Sequence, residues 1–112
     1  MQRRDSNAPD APLPVGAYTH AIEVTAASRT VYLSGQVGVA ADGSMPEDAA
    51  SQAALVWRNI AAQLRAVGMT LDNIVKVNTI LSDRADLPAS RVARNDAMGD
   101  RNNQLATILD NM

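Results

Sequence analysis

Tyr32-Leu33-Ser34-Gly35-Gln36-Val37 reads as a β-strand that interrupts itself. Val31, Leu33, Val37 and Val39 keep the alternation of a strand with one apolar face. Between them stand a hydroxyl, a bare backbone and an amide. Glycine inside a strand gives up side-chain packing and marks a bulge or the close approach of another backbone or a ligand. Ser34 adds a donor and two acceptor lone pairs at the same point. A bulge that re-aims the strand is the simpler reading of the triplet. Pro14-Val15-Gly16-Ala17-Tyr18, a Pro/Gly bend that delivers a lone aromatic, raises the alternative of a ligand-facing wall.

Working outward, residues 18–25 alternate apolar and polar and predict a strand, with residues 26–29 as a turn and 30–39 as the return strand of a hairpin. Ala41-Asp42-Gly43 closes it with turn chemistry. Residues 1–13, rich in proline and polar residues, read as a mobile or lightly docked arm. Ser44 ahead of Met45-Pro46-Glu47 predicts a capping box with proline in the first helical turn. Ala50, Ala54, Trp57, Ala61, Leu64 and Val67 then recur at helical spacing, and Gly68 stands where a left-handed cap belongs. Residues 73–81 are rich in β-branched side chains and predict the strongest strand. Leu87-Pro88 opens a second helix to about Met98, ended by Gly99-Asp100. Hairpin, helix, strand, helix predicts an α+β fold with the helices on one face of a mixed sheet. The whole, 1–112, reads as a single domain with a divergent C-terminus at 102–112, whose apolar residues 105–109 are expected to pair within the sheet or across subunits.

Composition bounds the function. The chain has no phenylalanine, one tryptophan and two tyrosines, so its core is built from small side chains and gains from an oligomeric interface. A net charge of −2 gives no global basic field, and Asp96 and Asp100 interrupt Arg91, Arg94 and Arg101, which argues against nucleic acid. Absent cysteine removes disulfides, thiolate metal sites and a cysteine nucleophile. The single histidine, His20, rules out a histidine cluster within one chain, and its pKa near neutrality makes it a conceivable base, although a bystander is the simpler reading. No stretch is apolar for long enough to span a bilayer, and a polar run follows the basic start, so a cytoplasmic location is expected.

Several stretches resemble the RidA (YjgF/YER057c/UK114) family, also known as the endoribonuclease L-PSP family. They are Pro14-Val15-Gly16-Ala17-Tyr18-Thr19-His20-Ala21, Tyr32-Leu33-Ser34-Gly35-Gln36-Val37-Gly38 and Asp48-Ala49-Ala50-Ser51-Gln52-Ala53, joined by Asn59-Ile60, Ala66-Val67-Gly68-Met69 and Ile74-Val75-Lys76-Val77. The resemblance implies a chorismate-mutase-like α+β fold and a homotrimer with clefts between subunits. It also implies hydrolysis of reactive 2-imino acids, or their enamine tautomers, to 2-keto acids and ammonia without metal or organic cofactor. Such a site has only to hold a carboxylate, favour one tautomer and position water against an already electrophilic carbon. In the family an arginine clamps that carboxylate bidentately and a glutamate on the last strand helps place the water.

By the same resemblance Tyr18 and the backbone at Ser34 and Gly35 line the pocket, and Arg91 stands where relatives often place a polar pocket residue. The clamp is not matched: Gln104 takes its place in an ungapped alignment, and Ala106 when Ala106-Thr107 sets the register. The closing strands and the glutamate find no counterpart, as expected of a truncated or frame-shifted member. Candidate substrate-binding residues are therefore Tyr18, Ser34, Gly35, Arg91 and Gln104, with no catalytic residue and no metal ligand assigned. Two functions follow. One is an imine/enamine deaminase of weak or absent activity; the other is a non-catalytic small-molecule-binding or structural homo-oligomer of the same fold.

Overall fold

A computed structural model of the chain describes residues 2–13, 21–104 and 106–111, with the backbone path alone for 102–104 and 106–111. The order is β1 (Gln2–Ser6), β2 (Ala21–Thr25), α1 (Ala49–Ala66), β3 (Lys76–Leu81), α2 (Leu87–Met98) and β4 (Ala106–Asn111). The expected α+β arrangement is present, but among the described residues its sheet comes as two separate pairs. β1 runs antiparallel to β2, with Arg4 opposite Glu23, and β3 runs parallel to β4, with Lys76 opposite Ala106. Part of the expected arm is thus a strand. Its Arg3 turns inward and donates to the carbonyls of Asp72, at 3.2 Å, and Ile74. Of the apolar tail expected to pair, residues 106–109 find a partner within the chain, as part of β4 on β3, and Leu105 lies outside the described residues.

Residues 30–39 correct the expected hairpin, because none of them is in a strand. Their outward carbonyls meet a helix instead of a neighbouring strand. The Asn59 carboxamide on α1 donates to Val37 O at 3.0 Å and to Val39 O at 2.9 Å, and the Val39 amide turns back to Val37 O at 2.8 Å. With those acceptors taken, β2 pairs with β1. The Ala41-Asp42-Gly43 turn holds, closed by Gly43 N–H to Ala40 O at 2.9 Å.

The first helix also starts later than Ser44 suggests. Ser44 is spent on the turn, its hydroxyl donating to Asp42 Oδ1 at 2.6 Å, and the N-cap is Asp48, which accepts from the Ser51 amide at 2.9 Å. Pro46 therefore precedes the helix. At the other end the Gly68 amide reaches Arg65 O and the Met69 amide reaches Leu64 O, the pair of bonds of a Schellman cap, with Gly68 at φ +74° as the motif requires. The second helix keeps its expected bounds, with Pro88 in its first turn and Gly99 after its last residue.

That Ser51 bond holds the Asp48 carboxyl below the ordinary aspartate value. A carboxyl lowered by folding stabilises the fold above its unfolded pKa of about 3.9 and loses that contribution as pH falls through the folded value. Asp48→Ala is accordingly expected to lower the melting temperature at neutral pH. Thermal denaturation over a pH series checks this: the gap between variant and parent should close below pH about 4.

The core sits where α1 and α2 meet β3. Trp57, Ala93 and Met98 are buried together, with Ala53, Ile60, Leu71, Ile74 and Val77 packed around them. Ala50 and Ala54 of the expected stripe stay exposed, so the inward face of α1 is rotated toward Ala53 and Ile60. Along β3, Val77, Thr79 and Leu81 turn inward while Lys76, Asn78 and Ile80 face out. Asn73, expected to open this strand, instead closes a 3-10 turn at Leu71–Asn73 capped reciprocally by Thr70 and Asn73, and the strand begins at Lys76.

Candidate functional site

The ribbon of residues 34–38 is built against α1 from two contacts. Gly38 is buried, and a Cβ placed there would lie 2.7 Å from Cα, Cβ and O of Gln52. Asn59, two helical turns on from Gln52, takes the Val37 and Val39 carbonyls. The bond from the Val39 amide back to Val37 O closes a three-residue turn at Gly38, which brings both carbonyls within reach of one carboxamide. The close approach that a glycine in this stretch predicts therefore falls on Gly38. Gly35 has open space around it, with nothing within 4 Å of the point where a Cβ would stand.

Ser34 and Gly35 are exposed on this ribbon, and the Gln36 side chain folds back to Ser34 O at 3.2 Å. Tyr32 and Val37 are exposed beside them, at 91% and 61%. Ser34 and Gly35, neighbours in sequence, are both open to solvent. Tyr18 and His20 lie outside the described residues. Arg91 is exposed on α2, on the stripe shared with Leu87, Arg94 and Met98, and no described bond joins it to the ribbon. Gln104 ends the 3-10 segment after α2, and its side chain lies outside the described residues.

Arg101, the nearest arginine in sequence to the unmatched clamp position, is engaged elsewhere. Its guanidinium donates to Met98 O at 3.0 Å, to Ala97 O at 3.2 Å and to Asp72 Oδ1 at 3.1 Å. It is a cation placed on the negative end of α2 and tied to the turn before β3. Arg94 is half-buried, and desolvation lowers its pKa from the ordinary guanidinium value, though arginine stays charged at any physiological pH. Sequence reasoning meets Asn59 and Gly38 only within the family-like stretches and Arg94 only among the arginines, and gives none of them a place in the site. For Arg94 a signal exists in its spacing of three residues from Arg91, four from Met98 and seven from Leu87.

Two grooves flank the helices. One, of about 350 Å³, is lined by Ala50, Ala54, Ala89, Val92 and the carboxylate-bearing Asp96. The other, of about 230 Å³, is lined by Ala61, Arg65, Thr70, Leu71 and Arg101. Its arginines lie at the C-terminal ends of α1 and α2, where they offset the helix dipoles. Among the described residues no group of three His, Cys, Asp or Glu side chains could hold a metal ion, and no helix is long and apolar enough to cross a membrane.

Comparison with known proteins gives these features a context. The family model described as endoribonuclease L-PSP matches residues 8–108. A RutC family protein of Aquifex aeolicus is 35% identical over 81 residues, covering 71% of this chain and 62% of that protein. A 2-iminobutanoate/2-iminopropanoate deaminase of Dermatophagoides farinae is 34% identical over 89 residues, covering 78% and 67%. The chain thus spans about two-thirds or less of the curated relatives it matches. Among solved structures, a Rid-family protein of unknown function from Yersinia pestis superposes with a TM-score of 0.81 at 23% identity, over 100% of this chain and 86% of that one. RidA of an Antarctic Psychrobacter gives 0.65 at 29% identity, over 94% and 84%. With its fold shared by Rid proteins and its family match running from just after β1 into β4, the chain belongs to the endoribonuclease L-PSP (RidA) family.

Proposed function

We propose that this chain is a single RidA-like domain, cytoplasmic, that binds 2-imino or 2-keto acids in a cleft between copies of itself arranged as a homotrimer, and that hydrolyses imino acids weakly or not at all. Relatives named 2-iminobutanoate/2-iminopropanoate deaminase support the ligand class. The observation that carries the weak chemistry is the engagement of Arg101. The clamp position holds Gln104 or Ala106, and the nearest arginine in sequence is already bonded to two helix carbonyls and to Asp72. An amide donates to one carboxylate oxygen without charge, where a guanidinium offers a bidentate ionic fork.

Assembly is supported by what one copy leaves uncovered. Its radius of gyration of 14.9 Å exceeds the ~13 Å expected of a compact domain near this size. Ile80 on the outward face of β3 is 60% exposed, and Tyr32 and Val37 are open on the ribbon. The non-catalytic alternative shares this surface and differs only in chemistry.

Ammonia release from freshly generated 2-iminobutanoate separates the two. The expected rate stays within a few-fold of spontaneous hydrolysis, while titration with 2-oxobutanoate shows saturable binding. Rapid release that Tyr18→Phe abolishes would overturn the assignment of weak chemistry.

A further inference from the structure

We infer that Asn59 is a positioning residue for the Ser34-Gly35 wall, a role that rests on the proposed ligand site and adds a device to it. The wall has no strand on the side facing α1. It is held there by one carboxamide bonded to two carbonyls, at 3.0 and 2.9 Å, and by the seating of Gly38 on Gln52. The two contacts act in concert. Gly38 brings the ribbon to van der Waals range of the helix, and Asn59 fixes its rotation about its own axis, because both bonded carbonyls must face the helix at once. That rotation decides where the Ser34 hydroxyl and the Gly35 amide point. The Gln36 side chain, bonded to Ser34 O, adds only a local tie within the ribbon.

The chemistry of the pair is specific. The Nδ2 group supplies two hydrogens and the bonded atoms are both acceptors, so aspartate, of the same shape, supplies no donor and sets a negative charge against two carbonyl oxygens. Leucine fills the volume, takes the donor from Val39 O and leaves Val37 O with the Val39 amide alone. A ligand bound through the ribbon should therefore feel residue 59 although residue 59 does not touch it.

The test compares the parent with Asn59→Asp and Asn59→Leu by backbone amide NMR and by titration with 2-oxobutanoate well below the melting temperature. Expected are amide shift changes concentrated at residues 34–39 with β3 and α2 resonances in place, and 2-oxobutanoate binding weaker by about tenfold or more, the loss of one to two hydrogen bonds. Unchanged resonances at 34–39, or unchanged affinity in a variant whose ribbon has shifted, would overturn the inference. If neither variant folds, relaxation of the parent decides: order parameters near 0.85 at Ser34 and Gly35 support it, and values below about 0.6 overturn it. If the parent binds no 2-oxobutanoate, the ligand class fails, and the ribbon resonances still decide whether Asn59 positions the wall.

Discussion

Gly38→Ala is expected to destabilise the fold by about 1–3 kcal/mol, toward the upper end of what an inserted methyl costs in a packed site. The added carbon would lie 2.7 Å from Gln52 Cα and O, and backbone atoms in the first turn of a helix cannot swing aside as a side chain does. Retreat of the ribbon is the other escape, and Asn59 opposes it by holding the carbonyls on either side of Gly38. Gly35→Ala is the control. Its new methyl meets nothing within 4 Å, so the change should stay within about 0.5 kcal/mol. Urea unfolding at one fixed protein concentration measures both, since assembly would make apparent stability depend on concentration. Equal costs at the two glycines would refute the placement of the close approach at Gly38.

Trp57→Ala should cost about 3–5 kcal/mol, the range for deleting a large aromatic from a core. Few side chains share the burden here. Trp57 is the only tryptophan in a chain without phenylalanine, and it is buried with Ala93 and Met98 at the meeting of α1, α2 and β3. Alanine and methionine cannot collapse into an indole-sized void without moving both helices. Since domains are stable by only about 5–15 kcal/mol, much of the total would be lost. Circular dichroism during heating should show a strongly lowered or non-cooperative transition. A melting temperature within a few degrees of the parent would mean that the core lies elsewhere.

The helices are legible in the sequence because their signals are local. Pro88 and Gly99 bracket α2 within the sequence itself, and Gly68 marks the end of α1. The start of α1 is harder to read because two residues compete for one role: Ser44 has cap chemistry, but Asp42 engages its hydroxyl, which leaves the cap to Asp48. The ribbon at 30–39 has a strand's alternation and lacks a strand's neighbour. Nothing in those ten residues announces that their acceptors are matched by an asparagine some twenty positions later. For the same reason Ser34 and Gly35 can be found as an exposed pair, whereas the glycine that is sterically required, Gly38, carries no local mark. Local patterns reveal what a residue offers; only the fold reveals what takes up the offer.

Helix α1 therefore serves two surfaces at once. Trp57 and Ile60 face the core, and Gln52 and Asn59 meet the ribbon on a flank about a third of a turn away. The helix is a rigid shaft between them, so the wall at Ser34 and Gly35 takes its position from the core and cannot be tuned separately from it. A substitution that tilts α1 by refilling the space around Trp57 is therefore expected to shift the ribbon as well, so that slack in the core becomes slack at Ser34 and Gly35.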